Sequence, residues 1–136
     1  MITEIKENVW QFKFRKFGSH VYLIKLKNKN VLIDTGYRIN KEELLEDLNK
    51  LKLTPENIHI LILTHDHPDH TGNISLFSNS KKYGSKKDFG ENLLYPKKLK
   101  IKARGFSESA KEKIKISGGE AILVIRKERN EYKGTK

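Results

Sequence analysis

Apolar and polar positions partly alternate over residues 9–14 (VWQFKF), the period-two pattern of a half-buried strand. Residues 20–26 (HVYLIKL) form a second strand candidate, rich in β-branched and aromatic side chains. The polar turn Asn28-Lys29-Asn30 leads into a third at 31–34 (VLID), which Thr35-Gly36 ends. A turn that short predicts an antiparallel hairpin. Leu44, Leu45, Leu48 and Leu51 then recur at helical spacing, so 41–52 is expected to be an amphipathic helix. Asn40 is its expected N-cap, with Glu43 placed to reciprocate. After a turn at Thr54-Pro55-Glu56, residues 58–63 (IHILIL) are almost unbroken in apolar character, as in a strand covered on both faces. Strand, helix and strand in that order predict a βαβ-like unit and an α/β fold.

Beyond residue 80 the periodicity fades. Gly84, Gly90 and Pro96 punctuate the segment. Leu99 to Ala103 and Ala121 to Ile125 are strand candidates, Ser117-Gly118-Gly119 a turn, and 126–136 a solvated tail. Charge changes at the same place. Residues 1–80 carry 11 Lys/Arg and 10 Asp/Glu, whereas 81–136 carry 17 and 7, so nearly all of the net +11 lies in the second stretch. The chain therefore divides into 1–80 and a basic segment 81–136, the latter weakly structured or a divergent remainder of the same domain. Such a segment attracts nucleic acid or other polyanions, or is simply a lysine-rich surface.

The 136 residues make one domain. No stretch is long and apolar enough for a membrane helix, and MITEIKENVW lacks the apolar core of a secretory signal. There is no cysteine, which excludes disulfides and thiolate metal ligands and agrees with the expected cytoplasmic location.

The chemistry is concentrated in Thr64-His65-Asp66-His67-Pro68-Asp69-His70-Thr71-Gly72-Asn73, directly after the buried strand. Three histidines and two aspartates fall within six positions, too dense for an ordinary charged loop. On extended chain His65 and His67 share a side, while Pro68 bends the backbone and re-aims Asp69 and His70. Mixed imidazole and carboxylate donors suit Zn²⁺, and also Fe or Mn, better than Mg²⁺ or Ca²⁺.

This run resembles the H-x-H-x-D-H signature of the metallo-β-lactamase superfamily. Upstream, Leu32-Ile33-Asp34-Thr35-Gly36 resembles that family's aspartate-bearing turn, and Val21-Tyr22-Leu23-Ile24 its preceding strand; the resemblance covers roughly residues 8–77. It implies an αββα sandwich of which only the first half is recognisable. It further implies one zinc on His65 and His67, a second on Asp69 and His70, Asp34 supporting the metal loop without binding metal, and Asp69 orienting the attacking water. The implied activity is metal-dependent hydrolysis of an ester, thioester, lactone or phosphodiester. Pro68, where RNA-processing branches show glycine, favours small-molecule substrates over RNA or DNA.

The family's second half supplies further ligands, yet no histidine follows His70. Asp88, Glu91, Glu108 and Glu120 are the nearest acidic residues, and none lies in a family-like motif. Three readings stand: a chain completed by a second copy or another polypeptide, a reduced one-metal site, or a non-catalytic metal-binding scaffold. An incomplete sandwich is expected to leave an apolar sheet face open and so to dimerise. His59 is expected to pack or to face an edge, His20 to stand near the site without ligating, and Trp10, Tyr22 and Phe77 to belong to the core. Thr71-Gly72-Asn73 is expected to open a short helix behind the metals.

Overall fold

In the computed structural model, residues 1–89, 100–103, 110–111, 113–114 and 120–123 are described. Six strands form one mixed sheet: β1 (Ile2–Lys6), β2 (Val9–Phe12), β3 (Val21–Lys25), β4 (Asn30–Ile33), β5 (Ile60–Leu63) and β6 (Lys81–Gly84). Their order across the sheet is their order in the chain. The first four pair antiparallel, and β4, β5 and β6 pair parallel. The expected hairpin is present as β3 and β4, with Leu23 opposite Leu32 and Ile24 opposite Val31. The expected βαβ unit is present as β4, helix α1 (Lys41–Lys50) and β5.

Alternation along the strands sends successive side chains to opposite faces. Val21, Leu23, Leu32, Leu61 and Leu63 pack on one face with Leu44 and Leu48 of α1 and with Phe12 and Phe77. Each of those helix leucines is fully buried, which stabilises the helix on the sheet by about 1.5–3 kcal/mol apiece. Val9, Tyr22, Ile24, Val31, Ile33 and Ile62 occupy the other face, where Ala110 and Ile114 join them. All eight are buried. The open apolar face expected of an incomplete sandwich is therefore not found at these positions, because the C-terminal segment returns to that side of the sheet.

Two strands went unforeseen. β1 (ITEIK) and β6 (KKYG) stand at the two edges of the sheet, where one-sided burial asks for few apolar residues. The capping arrangement at Asn40 also differs from expectation. Asn40 Oδ1 accepts from Tyr37 N at 2.7 Å and its Nδ2 donates to Phe17 O at 2.8 Å, while Glu43 accepts from Arg15 N at 2.9 Å. A 3-10 turn (Arg38–Asn40) runs directly into α1, so these side chains tie the helix start to the Phe17 loop instead of capping it. Beyond the main sheet, a short helix α3 (Lys86–Phe89) follows β6, and β7 (Lys100–Ala103) pairs parallel with β8 (Glu120–Leu123). Residues 117–119 and the tail 126–136 lie outside the described residues, as do Glu91 and Glu108.

Candidate metal centre

The site is built at the carboxyl ends of two adjacent parallel strands, where open α/β sheets present their binding residues. Asp34 leaves the end of β4 and Thr64 the end of β5. Asp34 is completely buried and has φ +68°, the left-handed conformation that aspartate tolerates better than most residues. That turn aims its carboxylate at the loop after β5. Oδ1 accepts from Thr64 N at 2.9 Å, and Oδ2 accepts from Thr64 Oγ1 at 2.7 Å, from His70 Nδ1 at 2.9 Å and from Lys113 Nζ at 2.8 Å. Burial pushes the Asp34 carboxyl up, but the His70 hydrogen bond, the Lys113 charge and bond, and the Thr64 amide outweigh it and hold the group below the usual carboxylate range. Asp34 is thus an anion, and an anion accepts.

Hydrogen accounting then fixes two imidazoles. An ionised Asp34 requires a proton on His70 Nδ1, so Nε2, which faces Ser19 Oγ and Asp69 Oδ2, is the nitrogen a metal would take. The single hydroxyl hydrogen of Thr64 is spent on Asp34, so the contact of 3.2 Å between Thr64 Oγ1 and His65 Nδ1 is a bond donated by His65. His65 is left with Nε2 available as well. The rings of His65 and His70 lie 4.9 Å apart, centroid to centroid, and those of His65 and His67 6.0 Å apart.

Asp69 and His70 sit on the one-turn helix α2 (Pro68–Thr71). It begins at Pro68, earlier than the helix expected from Thr71, because proline suits the first helical position. Asp69 Oδ2 lies 3.4 Å from His70 Nε2, and Ser19 Oγ touches both, donating to Asp69 Oδ2 at 2.7 Å and lying 3.2 Å from His70 Nε2. Thr35 anchors the helix from below through its N and Oγ1, both bonded to His70 O. Gly72 makes the fit possible: a Cβ there would meet Arg38 N and Gly36 O at 2.5 Å.

His65, His67, Asp69 and His70 therefore share one loop and its helix, with Asp34 beneath. Among the described residues no three histidine, aspartate or glutamate side chains close on a single point. The donor chemistry nevertheless fits a borderline divalent cation, since three imidazoles and a carboxylate share this loop and the Asp69 carboxylate stands beside His70 Nε2. Asp88 lies in α3, where its N–H donates to Ser85 Oγ at 3.2 Å. His59, exposed just before the interior strand β5 and not at a sheet edge, accepts through Nδ1 from Asn30 N at 2.9 Å. His20 Nδ1 lies 3.2 Å from Gln11 Nε2; burial and the charges of Lys13 and Lys113 push its pKa down. Tyr22 and Phe77 are core residues, while Trp10 is only partly buried, with Lys25 Nζ 5.6 Å from its ring centroid. Ser19 and Lys113 carried no sequence signal that assigns them to the site, and Thr35, Thr64 and Asn73 were legible only as members of the two motif segments.

The chain belongs to the metallo-beta-lactamase superfamily, whose family model matches residues 15–123. The match thus continues well past residue 77, where the recognisable motifs stop. A protein of Methanocaldococcus jannaschii named as a probable metallo-hydrolase is 36% identical over 62 residues, covering 46% of this chain and 30% of that protein. Metallo-beta-lactamase domain-containing protein 1 of Mus musculus is 37% identical over 60 residues, covering 44% of this chain and 23% of its own length. The chain thus spans less than a third of the curated relatives it matches. Among solved structures, the subclass B3 metallo-beta-lactamase BJP-1 of Bradyrhizobium japonicum superposes with TM-score 0.55 at 24% identity, covering 60% of this chain and 31% of that one. A metallo-beta-lactamase of Cronobacter sakazakii gives TM-score 0.58 at 19% identity over 65% and 34%. Among the described residues no helix is long and apolar enough to cross a membrane.

Proposed function

We propose that this chain carries the metal-holding half of a metal-dependent hydrolase, with zinc as the preferred ion and iron or manganese as substitutes. The observation that carries it is the double use of the Asp34–Thr64 pair, which engages Nδ1 of both His70 and His65 and so favours their Nε2 atoms as ligating nitrogens. His65, His67, Asp69 and His70 would hold the metal, one ion or two. When bound, the metal supplies Lewis acidity, acidifying water and polarising a carbonyl or phosphoryl oxygen.

The chain's own residues do the rest. Ser19 fixes Asp69 by donating to Oδ2, which leaves Oδ1 to accept a proton from an attacking water and orient it. Thr35 and Gly72 hold α2 against the turn after β4, so that His70 and Asp69 stay in register with His65. The loop bearing Ser19 also borders a cleft of about 380 Å³ lined by Arg15, Lys16, Phe17 and Ile39. Its mixture of cationic and apolar side chains suits a small amphiphilic acid derivative, such as an ester, thioester or lactone.

A second reading rests on the fact that no three donors close on one point among the described residues. In that reading the centre is completed by another copy of the chain or by a complementing polypeptide, and the chain alone binds metal without turnover. Elemental analysis of untagged protein, beside a His65→Ala/His67→Ala variant, decides between them. One or two zinc per chain, lost in the variant and accompanied by esterase or thioesterase turnover, supports the hydrolase. Metal without turnover supports the half-site, and no metal in either protein defeats both.

A further inference from the structure

Lys113 reaches the site from 79 positions beyond Asp34. Its Nζ donates to Asp34 Oδ2 at 2.8 Å and to His20 O at 3.0 Å, and it lies 5.6 Å from the centroid of the Tyr22 ring. With a side chain only 17% exposed and contacts on three fixed groups, it is not a lysine wandering over the surface. The atom it binds is the same carboxylate oxygen that receives His70 Nδ1.

We propose that Lys113 is a positioning residue that stabilises the fold while restraining the metal affinity of the site. The inference rests on the metal-binding reading above. A carboxylate behind an imidazole draws on its Nδ1–H and makes the opposite nitrogen a better ligand. That help scales with the negative charge left on the carboxylate. Here a full ammonium shares Oδ2, so His70 faces a neutralised partner. The ammonium also repels a cation held at His70 Nε2, across a path of low dielectric where charges act strongly. The same contact that removes the cost of burying Asp34 therefore works against the ion. Stability and metal affinity are set in opposition by one residue.

The opposition is what the experiment reads. Lys113→Gln removes the charge but keeps an N–H donor; Lys113→Arg keeps the charge. Zinc affinity is measured by competition with a chromophoric chelator, and stability from the urea midpoint. The expected result is a Lys113→Gln protein with a lower midpoint that binds zinc roughly 10- to 100-fold more tightly, the range that groups behind a metal ligand command. Lys113→Arg is expected to match the parent in affinity. A Lys113→Gln protein that is less stable and binds zinc equally or more weakly is what a plain tether gives, and overturns the proposal while leaving the metal site intact. If neither parent nor variants bind zinc, the reading of the site itself fails. Should Lys113→Gln not fold, the ¹⁵N resonance of Lys113 Nζ in the parent protein, assigned through Lys113→Arg, serves instead. It shifts in step with zinc saturation if the ammonium faces the ion and stays in place if it does not.

Discussion

Thr35 holds His70 by its backbone at two points: Thr35 N and Thr35 Oγ1 each donate to the His70 carbonyl oxygen at 2.8 Å. The hydroxyl also accepts from Asn73 N at 3.0 Å, in a region closed to water. Thr35→Val keeps the shape and removes both hydroxyl bonds, leaving a buried N–H without an acceptor. The expected loss is about 2 kcal/mol in urea unfolding, and Thr35→Ser should recover most of it.

Thr64 offers a test aimed at chemistry more than at stability. Its hydroxyl donates to Asp34 and accepts from His65, so it fixes one ring and helps fix another. Thr64→Val should lower zinc affinity by roughly 10- to 100-fold, with Thr64→Ser close to the parent. Equal affinity in the valine variant would remove Thr64 from the metal loop's support.

Gly72 is a steric test. The neighbours a methyl group would strike are backbone atoms of Gly36, Tyr37 and Arg38, which cannot swing aside. Gly72→Ala should cost about 3 kcal/mol and displace α2, so zinc binding falls with stability, whereas Ser78→Ala on an exposed turn should change neither.

Acid sensitivity has a contributor far from the metal loop. Burial pushes the Glu43 carboxyl up, but the Arg15 amide and the Met1 ammonium outweigh that and hold it below its ordinary value. A carboxyl lowered by folding adds stability above its unfolded value, near pH 4.3, and that stability is lost as pH falls through the lower folded value. Glu43→Gln should therefore cost on the order of 1 kcal/mol at pH 7. The gap between parent and variant should close as the pH drops below about 4.

The centre of the fold was legible because its residues have no other use. An unbroken run such as Ile60–Leu63 makes sense only as a strand buried on both faces, and Leu44 and Leu48 only as the inner stripe of a helix. The edges were not legible: Lys81 and Lys82 join β6 through backbone bonds that no side-chain pattern advertises. The metal loop stood out by composition alone, since so many imidazoles and carboxylates seldom crowd one loop without a ligand. The groups that orient it were hidden. Ser19 and Lys113 are 50 and 79 residues from their partners Asp69 and Asp34, and nothing local distinguishes either from a surface residue. Asn40 misled for the opposite reason, because a local capping signal was overridden by a distant carbonyl, that of Phe17.

Because the six strands of the main sheet lie side by side in the order in which they are synthesised, the molecule can be assembled in the direction of translation. Each new strand finds its docking edge already formed by the one before, with α1 the longest excursion between neighbours. No strand has to wait for a later one to open a slot, so few ordering steps demand closure of a long loop. The metal loop emerges just after the strand that supports it, whereas Lys113 arrives late, with Ala110 and Ile114 that cover the same face of the sheet. The buried aspartate at the end of β4 therefore takes its cation from a part of the chain made only after all six strands of that sheet.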